Sequence, residues 1–400
     1  PLNHMYERSM NYHFQYRGIS IYYAESMGTL MQNMAELHIN GFTAVPRVLE
    51  MIYDKLYAAG KDFTGIKKRI YDRAFKHGAR YDYTLIKKVS LGYQIMQFFL
   101  DRMVYRQWRE KMGGNHLTVI TGGSSIQPRI IRTFAAAGIN IYEGYGLSET
   151  SPVIAVNNPH DGLVKIGTVG PILKGIEVKF DDDGEILVKG PNVMMGYYKD
   201  PEYTAQVIDK DGWFHTGDVG EMVGLTGTYL RITDRKKDIF KLSAGKYVAP
   251  QLLENRFRES EYIDQIMVVG ENEKFASAII SPNFNTLHYW AVKHCMHYRD
   301  NATLIAMPET QKKIKSIIEQ YNKEFAPHEQ IKAFRIVLEE WTANNGLLSP
   351  TLNVKRNVLQ AKYKDLIASI YNHDGDSKTG FFSAFKSLEF PTIKLPKFGE

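Results

Sequence analysis

Apolar residues along this 400-residue chain recur at two spacings, and the change from one to the other divides it. Up to about residue 150 the helical spacing dominates. Val48, Leu49, Ile52, Tyr53 and Leu56 fall on one face of a segment that Pro46 opens and Gly60 closes. Residues 66–77 and 91–112 read as further helices, the second ending at Gly113-Gly114. Its Ile95, Phe98, Phe99, Met103 and Tyr105 form a stripe of the kind that packs into a core. Residues 19–23, 42–45, 117–121 and 138–143 read as strands, and residues 29–37 as a loop. Residues 128–137 carry Ile130, Ile131, Phe134 and Ala135 on one side, between the last two of those strands. A strand–helix–strand unit of this length predicts parallel pairing with a right-handed crossover. Ligands of such sheets bind beyond the carboxyl ends of the strands. Gly122-Gly123 and residues 145–150 both fall there.

Beyond residue 150 the spacing shortens to two. Residues 165–169, 176–180 and 185–188 alternate, with a hairpin turn at Asp182-Asp183-Gly184. Residues 221–223 and 228–232 pair across 224–227, and a helix over 201–208 interrupts the series. Charges then cluster at Asp234, Arg235, Lys236, Lys237, Asp238 and Lys241, a natural domain boundary. A glycine loop at 243–246, a helix over 250–259 and strands at 265–270, 275–280 and 334–338 follow. The expected fold class is α/β. A layered α/β subdomain (1–154) and a small β-barrel subdomain (155–233) precede a mobile α+β C-terminal domain (234–371) and a loosely attached tail (372–400).

Composition changes this picture little. Hydrophobic residues at 44% and charged residues at 24% describe a globular protein. The net charge of +6 is spread over amphipathic helices, which argues against nucleic-acid binding and is compatible with peripheral contact at the inner face of a membrane. One cysteine, Cys295, excludes a disulfide framework and fits a reducing cytoplasm. No apolar run approaches the roughly 18–20 residues of a membrane span. The opening at Pro1, without Met and in the middle of a domain pattern, reads as a fragment.

The candidate chemistry sits in the loops. Paired glycines at 122 and 123 let a planar ligand approach bare backbone. In residues 145–150, Tyr145 offers a stacking face, Ser148 and Thr150 offer hydroxyls, and Glu149 is a hard oxygen ligand suited to Mg²⁺. The same six residues also fit a polar loop in which Ser148 or Thr150 caps a helix. Asp218, after Gly217, fits either a vicinal diol or a turn.

With these motifs in order, the chain resembles the adenylate-forming superfamily, and within it the long-chain fatty acyl-CoA synthetases. Residues 1–8 (Pro-Leu-Asn-His-Met-Tyr-Glu-Arg) resemble the acyl-side loop. Residues 145–150 resemble the aromatic-Gly-x-Ser/Thr-Glu motif, and residues 213–218 (Trp-Phe-His-Thr-Gly-Asp) the ribose-binding motif. Residues 234–238 (Asp-Arg-Lys-Lys-Asp) resemble the hinge, and residues 348–356 the C-terminal lysine loop. Residues 45–52 resemble the long-chain branch specifically.

That resemblance implies a two-step ligase using ATP, Mg²⁺ and coenzyme A, with a fatty acid as the other substrate. It implies adenine against Gly122, Gly123, Tyr145 and Gly146, and phosphate or acyl oxygen against Ser148 and Thr150. Glu149 would take the metal, and Asp218 and Arg235 the ribose. Lys237 would be the hinge, His4 the acyl side, and Lys241 and Gly245 the CoA channel. Two departures stand out. The family's phosphate loop lies N-terminal to the first motif, and so outside these residues. The lysine of the C-terminal loop aligns with Asn353, an uncharged amide, with Lys355 two residues on as the alternative. The expectation is therefore a long-chain fatty acid–CoA ligase whose fragment is inactive alone, with a non-catalytic nucleotide or acyl-adenylate binding relative as the alternative. A peptide-synthetase adenylation domain is disfavoured, since no carrier-domain pattern follows. Acyl length and oligomeric state are not legible.

Overall fold

The computed structural model describes residues 2–83, 90–114, 116–349 and 354–371. It divides into two units. The first runs to Ile239 and also takes the segment Ala249–Ser260, while the second takes Phe240–Val248 and Glu261–Leu348 and resumes at Val354.

In the first unit, strands β1 (Gly41–Ala44), β2 (Leu117–Thr121), β3 (Ile139–Gly146) and β4 (Val153–Val156) form one sheet in that order. β1, β2 and β3 are parallel, and β4 turns back antiparallel on β3. The crossover helix Pro128–Ala136 starts on Pro128 and is followed by Gly138 at φ 76°, a left-handed turn that glycine takes without Cβ strain. Its Ile130, Ile131 and Phe134 are buried with Leu49 and Ile52 of the helix Pro46–Ala59 and with Trp108. Each such side chain contributes about 1.5–3 kcal/mol by leaving water.

Four expectations need correction. Residues 19–23 form no strand: Ile19, Tyr22 and Tyr23 are exposed, and the Tyr23 hydroxyl donates to Asn11 instead. Residues 30–37 form a helix rather than a loop, because Leu30, Met31 and Met34 reach the core while Gln32 and Asn33 obscure the pattern. Residues 165–169 are not a strand. The buried Asn157 side chain captures their backbone, accepting from Lys165 N–H at 2.9 Å and donating to Thr168 O at 2.7 Å. Finally, the stripe at Ile95, Phe98, Phe99 and Met103 is exposed, and only Tyr105 of that set is buried. That segment, with a π-helical turn at Asp101–Tyr105, is apolar on more than one side. The side facing the core is the four-residue ladder Leu100, Val104, Trp108 and Met112.

The second sheet of this unit is antiparallel. It orders β5 (Glu177–Phe180), β6 (Glu185–Lys189), β7 (Phe214–Val223) and β8 (Tyr229–Arg235). Ile186, Val188 and Leu230 form its core with Ile154 and Ala155 of β4. The helix Pro250–Phe257, expected with the C-terminal domain, groups with this unit. Its Gln251 N–H donates to the fully buried Asp234 at 2.8 Å.

The second unit has a hairpin of β9 (Phe240–Lys241) and β10 (Tyr247–Val248). Its three-stranded sheet orders β11 (Ile263–Val269), β12 (Ser277–Pro282) and β13 (Ala333–Ile336). The helices Phe284–Lys293, Asn301–Ala306, Pro308–Asn322, Arg356–Lys362 and Lys364–Tyr371 complete the described part of this mixed α and β unit. No helix among the described residues is long and apolar enough to cross a membrane.

Candidate active site

The end of β3 meets the middle of β7 through two side chains. The Tyr145 hydroxyl donates to Asp218 Oδ2 at 2.8 Å, and Arg235 Nε stands 3.7 Å from Oδ1. Asp218 and Arg235 are direct partners across the β7–β8 ladder, so the sheet register itself brings the ion pair together. Burial pushes the Asp218 carboxyl up, against the opposing pull of Tyr145 and Arg235. Burial also raises Tyr145 well above an ordinary tyrosine, so it stays a neutral donor. Each carboxylate oxygen can accept more than the single contact it has here, which leaves capacity for two ligand hydroxyls.

A distortion of β7 aims Asp218. From Leu187↔His215 to Glu185↔Val219, β6 advances two residues and β7 four. The extra residues, centred on Gly217 at φ 70°, form a bulge. Glu185 fills the gap that the bulge leaves in the ladder. Its Oε1 accepts from Gly217 N–H at 2.9 Å, and its Oε2 meets Lys236 Nζ at 2.7 Å and His215 Nδ1 at 3.3 Å. Thr216 donates to Ile186 O at 2.7 Å and accepts from Asp218 N–H at 3.1 Å. Burial alone would raise Glu185, but Lys236, the Gly217 N–H and His215 together hold it below the usual carboxylate range. Asp181, Glu185 and His215 do bring possible metal-ligand atoms within 4.8 Å of one another. The Lys236 ammonium already meets the buried member of that trio.

The loop 145–150 divides its labour. Gly146 is required by packing, since a Cβ there would lie 1.6 Å from Pro152 O. Thr150 is buried and holds the loop closed, accepting from Leu147 N–H at 2.9 Å and donating to Pro152 O at 2.8 Å. Ser148 is exposed. Glu149 accepts from the Tyr197 hydroxyl on Oε1 at 3.0 Å, and its Oε2 has no hydrogen bond among the described residues. One half-exposed carboxylate with a free oxygen suits Mg²⁺, which takes one or two carboxylates together with substrate phosphates. Gly123, at φ 86°, has open space where a Cβ would stand, while Gly122 is buried with Gly144 O 3.2 Å from that position. At the start of the first helix, Met5–Tyr16, His4 is the N-cap, its Nδ1 accepting from Tyr6 N–H.

Lys237 is exposed in the short turn Lys236–Asp238. In the second unit, Lys241 lies on β9 with Nζ 5.6 Å from the Tyr247 ring centre. Gly245, at φ 81°, closes the tight turn between β9 and β10. Lys355 is exposed as the N-cap residue of the helix Arg356–Lys362, its N–H bonded to Leu347 O at 3.0 Å. Asn353 and the tail 372–400 lie outside the described residues.

Sequence reasoning missed Glu185 and Tyr197, and named Asp234 only within the hinge motif. The first left a faint signal, a carboxylate opening an otherwise apolar strand directly after a turn.

Residues 1–198 match the family model described as AMP-binding enzyme, and residues 237–375 the one described as AMP-binding enzyme C-terminal domain. The chain is 33% identical to "Long chain acyl-CoA synthetase 7, peroxisomal" of Arabidopsis thaliana, over 93% of this chain and 54% of that protein. It is equally 33% identical to "Long-chain-fatty-acid--CoA ligase 1" of Homo sapiens, again over 93% and 54%. It therefore spans about half the length of the curated relatives it matches. Among solved structures, the A domain of carboxylic acid reductase from Segniliparus rugosus, in complex with AMP and a co-purified carboxylic acid, aligns with a TM-score of 0.63 at 20% identity. That alignment covers 93% of this chain and 53% of that one. The two matched models and these relatives show that the chain belongs to the AMP-binding, adenylate-forming enzymes, in their long-chain acyl-CoA synthetase branch.

Proposed function

We propose that the protein is an AMP-forming long-chain fatty acid–CoA ligase. In the first step, a fatty-acid carboxylate oxygen attacks the α-phosphorus of ATP, and the bond to pyrophosphate breaks. In the second, the CoA sulfur attacks the acyl carbon, and AMP leaves with the electron pair. The observation that carries this reading is the Tyr145–Asp218–Arg235 arrangement, a buried carboxylate with its donors fixed and acceptor capacity to spare for a ribose diol. Gly122 and Gly123 supply bare backbone for adenine. Glu149 would hold Mg²⁺, which would supply charge neutralisation for the phosphates. Thr150 shapes the loop that presents Ser148 and Glu149. His4 lies on the acyl side. Lys237 serves as the hinge for a mobile C-terminal domain, and Lys241 and Gly245 face CoA. A domain rotation would let one protein present different residues to the two steps.

Asn353 favours a second reading, a relative that binds nucleotide or acyl-adenylate without turnover, because an amide cannot supply a lysine's point charge. The test is ATP–pyrophosphate exchange with a long-chain fatty acid, on protein of the relatives' full length. Exchange that Asp218→Ala abolishes supports the ligase. If Asn353→Lys raises the rate by about 10²–10³, position 353 is the lysine site. If instead Lys355→Ala abolishes exchange and Asn353→Lys does nothing, Lys355 is the catalytic lysine. Nucleotide binding without exchange in any variant overturns the ligase reading in favour of the second.

A further inference from the structure

We propose that Glu185 is a positioning residue for ribose recognition: its carboxylate stands in for the missing ladder acceptor opposite the β7 bulge and so fixes the direction of Asp218. The inference rests on the assignment of Asp218 to the ribose.

Three observations converge on it. First, the register between β6 and β7 skips, so the Gly217 N–H has lost its place in the strand ladder. Leaving a part-buried N–H unpaired costs up to about 1–3 kcal/mol, enough to pull a bulge back into regular pairing. Glu185 Oε1 meets that N–H at 2.9 Å, one residue before Asp218. Second, Glu185 is itself 4% exposed, yet its other oxygen is held by Lys236 at 2.7 Å and His215 at 3.3 Å. The side chain is thus pinned at both oxygens and cannot swing away from Gly217. Third, Lys236 follows Arg235 in the chain and precedes Lys237. The group that holds the bulge therefore also holds the end of β8, from which Arg235 reaches Asp218. Both partners of the Asp218–Arg235 pair are braced from one carboxylate.

The geometry separates two properties of Glu185 that ordinary truncation would confuse. Acceptance from Gly217 N–H needs an oxygen at the reach of a glutamate chain, and the charge serves the Lys236 and His215 contacts on the other oxygen. Glu185→Gln keeps reach and acceptor but loses the charge. Glu185→Asp keeps the charge but falls one methylene short. Both substitutions are small enough for the sheet to form, which thermal melting would verify.

The experiment measures affinities of the full-length protein for AMP and for 2′,3′-dideoxy-AMP by calorimetry. Their ratio reads the ribose hydroxyls alone. Glu185→Asp is expected to cut the ratio about tenfold, the scale of losing alignment to one charged acceptor. Glu185→Gln is expected to keep it within about threefold of wild type, even if its melting temperature falls. A ratio retained in Glu185→Asp, or lost more in Glu185→Gln than in Glu185→Asp, overturns the proposal. A wild-type ratio near one would instead mean that Asp218 does not read the ribose, which is a failure of the underlying assignment and is seen before any variant is made.

Discussion

Two buried glutamates, one in each sheet of the first unit, meet opposite fates. Glu143 lies on parallel strand β3 with Oε2 unpartnered, and burial pushes its carboxyl up to about 8. Glu185 lies on antiparallel strand β6, also with little surface exposed but set less deeply, and is held below the usual range by Lys236 and its neighbours. Depth and partners together set the direction: Glu143 is fully desolvated with one oxygen unpartnered, while the shallower Glu185 has a cation and an N–H to hold it ionised. The parallel sheet contributes backbone and shape to the site, through Gly122, Gly146 and the closed loop at Thr150. The antiparallel sheet contributes acidic and basic side chains: Asp218, Arg235 and the Glu185–Lys236 brace.

The sharpest way to break this division is Gly146→Ala. A Cβ placed 1.6 Å from a backbone oxygen cannot be relieved by a rotamer change. It should cost about 3–4 kcal/mol of unfolding free energy, measured by denaturant titration. A near-neutral result would mean that β4 can slide, and that the parallel sheet does not fix the site's shape.

Next in size is the pH dependence of Glu143. A carboxyl whose folded pKa is raised stabilises the folded state fully below its unfolded value of about 4.5. That contribution is lost as pH rises through the folded value of about 8. Compared with Glu143→Gln, the wild type should lose about 3 kcal/mol of stability between pH 5 and pH 8. Parallel stability curves for the two proteins would show that Glu143 is ionised and partnered, and the contrast with Glu185 would disappear.

Asp218→Asn tests the charged side. With the Tyr145 contact retained and the charge gone, AMP affinity should fall about thirtyfold, or about 2 kcal/mol, with little change in melting temperature. Unchanged affinity would move ribose recognition away from β7.

The smallest effect belongs to Lys236→Met. Lys236 is half-exposed, so solvent screening limits its loss to about 1 kcal/mol at neutral pH. The informative reading is on the acid side. Glu185, with a lowered folded pKa, contributes stability that is present above its unfolded value and lost as pH falls through the folded one. Without Lys236 the folded value moves back toward the unfolded one, so less stability should be lost across the acid limb. An unshifted acid limb would show that Gly217 and His215 suffice to keep Glu185 ionised.

The sequence made much of the fold legible where one periodicity ruled. The helix at Pro46, the crossover at Pro128 and the hairpin at Asp182-Asp183-Gly184 all form, because their punctuation and apolar spacing agree. It failed where a distant partner decided. Residues 165–169 alternate like a strand, but Asn157 holds their backbone. The stripe at Phe98 and Phe99 has the spacing of a core face, yet the opposite side of that helix is the one covered. Candidate site residues were found through short motifs, and the contact between Tyr145 and Asp218, 73 residues apart, needed coordinates. Glu185 could not be singled out, because its role depends on a register skip that no local pattern announces.

The close approach at Gly146 also bears on how such chains should be sorted. Gly146 and Thr150 sit inside the most recognisable motif, but what each touches is the protein's own backbone. A descendant that had given up chemistry altogether would still need both in order to fold. Their presence in an unfamiliar sequence certifies architecture only. Evidence that a lineage still uses nucleotide has to come from positions the fold could do without, such as the free oxygen of Glu149 or the charge on Asp218.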